Sequence, residues 1–242
     1  EAPVTRGRSL VTPELPHLEN LKAESAKDSF ILEARRRAKE DPTAAMDWLQ
    51  SQHSGSERLR GMLEVVALWA AEDSESALLW LESNAKGLAR LETLNNGVEL
   101  WAERNPTEAS QWIDGMANDG SKAIAAKALA AKWAQAEPTV AAEWVAGLPV
   151  GPVQEKAKEA LVQSWVMQDA KAASIWALAE AEFNGDYDLL GETILEFSKQ
   201  SPEEAESFVR DLAQANYSEI AVASHVMGRA EEDPAATAQW LL

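Results

Sequence analysis

Every tryptophan in the chain stands on one of two ladders whose rungs lie 32 residues, or a multiple of 32, apart. Trp48, Trp80, Trp112, Trp144, Trp176 and Trp240 form the first, with Phe208 on the one missing rung. Trp69, Trp101, Trp133 and Trp165 form the second, continued by Phe197. A proline ladder runs beside them through Pro42, Pro106, Pro138, Pro202 and Pro234, with Ser74 and Ala170 on the remaining rungs. A fixed period of this length is the mark of a repeat array, in which each unit buries its apolar faces against its neighbours.

The rungs can be read as a helix written seven times. The column before the proline is Asp41, Asp73, Asn105, Glu137, Asp169, Ser201 and Asp233, and six of these seven are residue types that cap a helix N-terminus. Proline suits the next position, where its missing N–H would have no partner anyway. Glu108 and Glu204 stand three residues after Asn105 and Ser201, the spacing of a capping box. Three residues past the proline comes a small column, Ala45 to Ala205 and then Thr237; the ring follows at +6 and an aliphatic residue at +7. Positions +3, +6 and +7 share one helical face.

This first helix should end after about eleven residues at turn signals such as Asn118-Asp119-Gly120 and Pro149-Val150-Gly151-Pro152. A second helix follows, for example Glu57 to Ala71 or Ser121 to Ala136. Its apolar face holds Val66, Val98, Ala130, Val162 and Ile194, then the second ring ladder and a further small column. Two helices per 32 residues predict an all-α fold, an α-solenoid of six to seven helix–turn–helix repeats with starts near 41, 73, 105, 137, 169, 201 and 233. The solenoid spans residues 23–242, its last repeat incomplete, behind an extended or disordered arm at residues 1–22. Residues 23–39 supply only a second helix, with Arg37 where the ring belongs, as a terminal cap would. The chain opens at Glu1 without methionine and stops mid-repeat, so we expect a processed product of a longer protein. We also expect end-to-end self-association through residues 234–242.

The proline-to-tryptophan spacing of Pro42/Trp48, Pro106/Trp112, Pro138/Trp144 and Pro234/Trp240 resembles the tetratricopeptide repeat. The period here is shorter than that family's roughly 34 residues. Its Leu-Gly pair after the tryptophan is replaced by Ser51-Gln52 and Gly115-Met116, and its small residue late in the second helix by Trp69, Trp101 and Trp133. The chain is more similar to bacterial proteins with Asp-Pro-x-x-Ala-x-x-Trp helical repeats, many of them exported. That resemblance implies a superhelical fold, an interaction role and an exported or periplasmic location over a cytoplasmic one, and it brings no catalytic residue.

Composition excludes several roles. With 40 acidic and 22 basic residues the formal charge is −18, a field that repels nucleic acid and anionic lipid. No apolar run approaches the roughly 20 residues of a membrane span, so no membrane insertion is expected. There is no cysteine, hence neither disulfide nor thiolate chemistry. His17, His53 and His225 are far apart, and Asn184-Gly185-Asp186-Tyr187-Asp188 lacks the twelve-residue frame of an EF-hand, so no metal, cofactor or catalytic site is expected. Ten tryptophans in fixed register read as core rather than as a stacking platform.

What varies between repeats is the other source of information. On the first helix the position five after the proline lies about 155° from the buried face at 100° per residue. It reads Asp47, Leu79, Gln111, Glu143, Ile175, Ser207 and Gln239, beside a column beginning Met46 and Leu78. Met46, Asp47, Leu78, Leu79, Gln111, Glu143 and Ile175 are therefore the candidate interaction surface, partly apolar and edged with acid. The expected function is a non-catalytic protein- or peptide-binding scaffold. The alternatives are a structural or assembly segment of a larger envelope protein, and an αα-hairpin glycan-binding protein or enzyme.

Overall fold

In the computed structural model every described segment of regular structure is helical. The structure describes residues 29–240 except 53, 54, 86, 186 and 213–217. The arm at 1–22, His17, His53, Asp186 and Leu241 lie outside them. A helix at 29–40 (α1) precedes thirteen more. These are α2 (Pro42–Ser51), α3 (Ser56–Glu72), α4 (Ser74–Asn84), α5 (Gly87–Ala102), α6 (Pro106–Gly115), α7 (Gly120–Ala134) and α8 (Pro138–Gly147). Then come α9 (Pro152–Val166), α10 (Ala170–Asn184), α11 (Asp188–Gln200), α12 (Pro202–Asp211), α13 (Ser218–Glu232) and α14 (Pro234–Trp240).

The capping column does what its chemistry predicts at five rungs: Asp41, Asp73, Asn105, Asp169 and Asp233 each accept from a backbone N–H two or three residues on. The Ser76 hydroxyl and N–H, both directed at Asp73, hold its carboxyl below the usual carboxylate range. Glu137 makes no such bond, its carboxylate meeting the Trp133 indole N–H at 3.3 Å instead. Ser201 makes none either, and Glu204 pairs with Lys171 at 3.1 Å.

The described chain forms two compact units, one ending at Glu72 and one spanning Asp73–Leu242. In the first, Arg37 takes the place of a ladder ring: its guanidinium lies 4.6 Å from the centre of the Trp48 ring, a cation–π contact where later repeats stack two rings. Phe30 packs on the same indole with centroids 5.1 Å apart. In the second unit, second helices pack on one another in order, α5 on α7, α7 on α9, α9 on α11 and α11 on α13. Each of α6, α8, α10 and α12 packs against the second helices before and after it. Alanines such as Ala125, Ala126, Ala130 and Ala157 are fully buried or nearly so, which permits this close approach. Across each junction a second-ladder ring meets the first-ladder ring eleven residues on. Trp101–Trp112, Trp133–Trp144, Trp165–Trp176 and Phe197–Phe208 have centroids 6.0, 6.2, 6.3 and 6.0 Å apart.

Side-chain amides tie the layers together as well. Gln168 and Gln200 donate to the carbonyls of Ala134 and Val166, residues at the ends of the preceding second helices. Inside a repeat, Lys122 donates to the carbonyls of Asp114 and Met116, and Gln154 to those of Val145, Ala146 and Leu148. Both occupy the same rung and satisfy carbonyls left over where a first helix ends.

Candidate binding cleft

The surface expected on the first helices divides in two. Asp47, Leu79, Gln111, Glu143, Ile175 and Ser207 are all exposed, Leu79 and Ile175 by 46% and 52%. Met46 and Leu78 are fully buried and belong to the core, not to a surface. The reason is geometric. α2 and α4, like α6, bury +3, +4 and +7, so the centre of the buried arc sits about 50° from where +3, +6 and +7 place it. The same rotation leaves Trp48, Trp80, Trp112, Trp144, Trp176 and Phe208 half-buried, while Trp101, Trp133, Trp165 and Phe197 are buried.

A second departure builds a cleft. The first helices α2, α4, α6, α8 and α12 run 10 or 11 residues, but α10 runs 15. Gly115 and Gly147 end α6 and α8; on the same rung α10 carries Ala179, followed by the helix formers Glu180, Ala181 and Glu182. The helix stops only at Gly185, whose φ of 76° is the left-handed cap that glycine adopts without strain. At 1.5 Å per residue the extra turn projects about 6–8 Å beyond its counterparts.

That projection walls a cleft of about 1100 Å³ closed on its other sides by the α8–α9 turn, α9 and the start of α11. Two apolar side chains at its edge are almost wholly in solvent, Val150 at 92% and Phe183 at 90% exposure. Its interior is acidic. Glu155 and Glu159 come from α9, Glu180 from α10, and Asp188 and Glu192 from α11. Among the described residues Lys158 is the one cation of the lining, and Glu180 holds it in a largely buried ion pair. Burial raises the Glu192 carboxyl above its ordinary value, and the like charges of Glu159 and Asp188 push the same way. Lys158 stands on a rung filled by Leu94, Ala126 and Leu190 in neighbouring repeats, so a core position here carries a charge facing the cleft.

None of these residues is among the sequence candidates. Ala179 in place of the helix-ending glycine, and Lys158 on an apolar rung, were the available signals. His225 is fully buried, with Nδ1 2.8 Å from the Ser198 hydroxyl. That hydroxyl donates its single proton to the Ile194 carbonyl at 2.6 Å, so Nδ1 is the protonated nitrogen of the neutral ring. Burial, reinforced by Arg229 and opposed by Glu206, pulls the imidazole below its ordinary value.

Among the described residues no group of three or more His, Asp or Glu side chains is placed to hold a metal ion, and no helix is long and apolar enough to cross a membrane. Comparison with family models, with curated proteins and with solved structures finds no match.

Proposed function

We propose that the chain is a non-catalytic scaffold, a tetratricopeptide-like α-solenoid of six to seven repeats, that binds a protein or peptide. The observation that carries this reading is where four of the nine exposed large apolar side chains among the described residues stand. Val150 and Phe183 rim a cleft at the one repeat whose first helix is overlong, and Leu79 and Ile175 face solvent on the outward column. Core positions recur from rung to rung because packing demands it. Exposed apolar groups at positions that do not recur have no packing reason, and surfaces of that kind serve contact with other molecules.

Selection of a random-peptide display library on the folded chain tests the reading, with hydrogen exchange locating the bound sequences. Enriched peptides that protect the cleft or the outward column support it. A selection that enriches nothing beyond what a heat-unfolded sample enriches removes the scaffold reading.

A further inference from the structure

The cleft's lining also selects among peptides. We propose that it takes a peptide segment presenting lysine or arginine beside a large aliphatic or aromatic residue; this rests on the scaffold reading above. Two independent features of the same cavity converge on that chemistry. Among the described residues its wall holds five carboxylates against one ammonium, which Glu180 holds, while Lys156, outside the lining, pairs with Glu159 at 2.7 Å. A cationic side chain entering between α9 and α11 meets Glu159 and Glu192, which lie close enough for each other's charge to matter. A cation there also relieves the repulsion that Glu192 feels from Glu159 and Asp188.

The rim supplies the second feature. Phe183 on the last turn of α10 and Val150 in the α8–α9 turn border the same opening from two sides, with Leu189 of α11 half-buried in its lining. An aliphatic or aromatic side chain seated there removes apolar area from water, while the adjacent cation reaches the carboxylates. An anionic partner is repelled by the floor, and a wholly polar cation leaves the rim wet. The occupant is therefore amphipathic and basic, matching a chain whose own charge is −18.

Fluorescence anisotropy with three short fluorescein-labelled peptides tests the assignment. One alternates lysine and leucine around a central phenylalanine, one has glutamate for every lysine, and one keeps lysine but has serine for the apolar residues. We expect the first to bind best and the second not at all. Its affinity should fall about tenfold or more, some 1.4 kcal/mol, in Phe183→Ala and in the double variant Glu159→Gln/Glu192→Gln. It should not change in Glu75→Gln/Glu82→Gln, which removes the same charge from the exposed face of α4. All four side chains replaced in the two charge variants are exposed or half-buried, as is Phe183, and circular dichroism verifies that each protein stays folded. Equal binding by every variant means that the peptide senses net charge alone, and the cleft assignment falls; failure of the first peptide to bind also overturns it. If that happens while library selection yields peptides protected elsewhere, the scaffold stands without this cleft. If selection is also empty, both fall.

Discussion

At the scale of single residues, the two ring ladders look alike in sequence and differ in the fold. Trp133 is 5% exposed and packs on Trp144. Trp112 is half-buried. Trp133→Ala should therefore destabilise the chain by about 3–5 kcal/mol, and Trp112→Ala by roughly half as much. Urea unfolding of the two variants checks this, and equal midpoints would contradict the burial difference. His225 makes a second residue-scale prediction. Its folded pKa lies below its unfolded one, so between the two values the unfolded state binds more protons and stability rises with pH. The stabilisation is complete above about pH 6.5 and is lost as pH falls from there toward the folded value. His225→Leu matches Leu129 and Leu161 on the same rung and leaves Ser198 bonded to the Ile194 carbonyl. That variant should lose less stability than the parent between pH 7 and pH 5, measured by denaturant midpoint at each pH.

At the scale of elements, spacing between neighbouring helices decides what a position tolerates. A Cβ built on Gly228 of α13 would sit 2.3 Å from the Leu195 carbonyl oxygen of α11 and 3.0 Å from the Ser198 Cβ. Backbone cannot yield as a side-chain tip can, so Gly228→Ala should destabilise by about 2 kcal/mol despite alanine's better helix propensity. Gly115 at the end of α6 has nothing within 4 Å of the same construction, and there the replacement should stabilise by about 0.4–1 kcal/mol. Thermal melts of the two variants should move in opposite directions. The helix starts were legible because an N-cap and its proline act within one turn, and five capping bonds form where the column predicts them. The ring positions were legible for the same reason of strict recurrence. Burial of Met46 and Leu78 was not, since spacing alone drew the apolar face through +3, +6 and +7, whereas α2 and α4 bury +3, +4 and +7. The cleft has no recurring signature, because it depends on α10 alone continuing past Ala179, the rung at which Gly115 and Gly147 end α6 and α8.

At the scale of the whole molecule, net charge and local ion pairs pull stability in opposite directions as salt is added. The ion pairs are largely at the surface: Arg36–Glu40, Lys156–Glu159 and Lys171–Glu204 each leave both side chains about half exposed or more. Pairs of that kind contribute about 0–1 kcal/mol apiece and weaken when screened. Against them stands a formal charge of −18, whose mutual repulsion is greatest in the folded chain and is relieved by the same screening. Helix starts carry part of that charge usefully, because Asp41, Asp73 and Asp169 accept backbone N–H bonds that persist in salt. Acidic residues outnumber basic ones by 18 over the chain, so the repulsive contribution should win. Raising sodium chloride from about 0.01 M to about 0.15 M shortens the screening length from about 30 Å to about 8 Å. The melting temperature should then rise by roughly 2–4 °C, the shift that about 1 kcal/mol produces in a chain of this size. A scan showing the melting temperature falling over that range would mean that the ion pairs, not the net charge, govern the electrostatics of the fold.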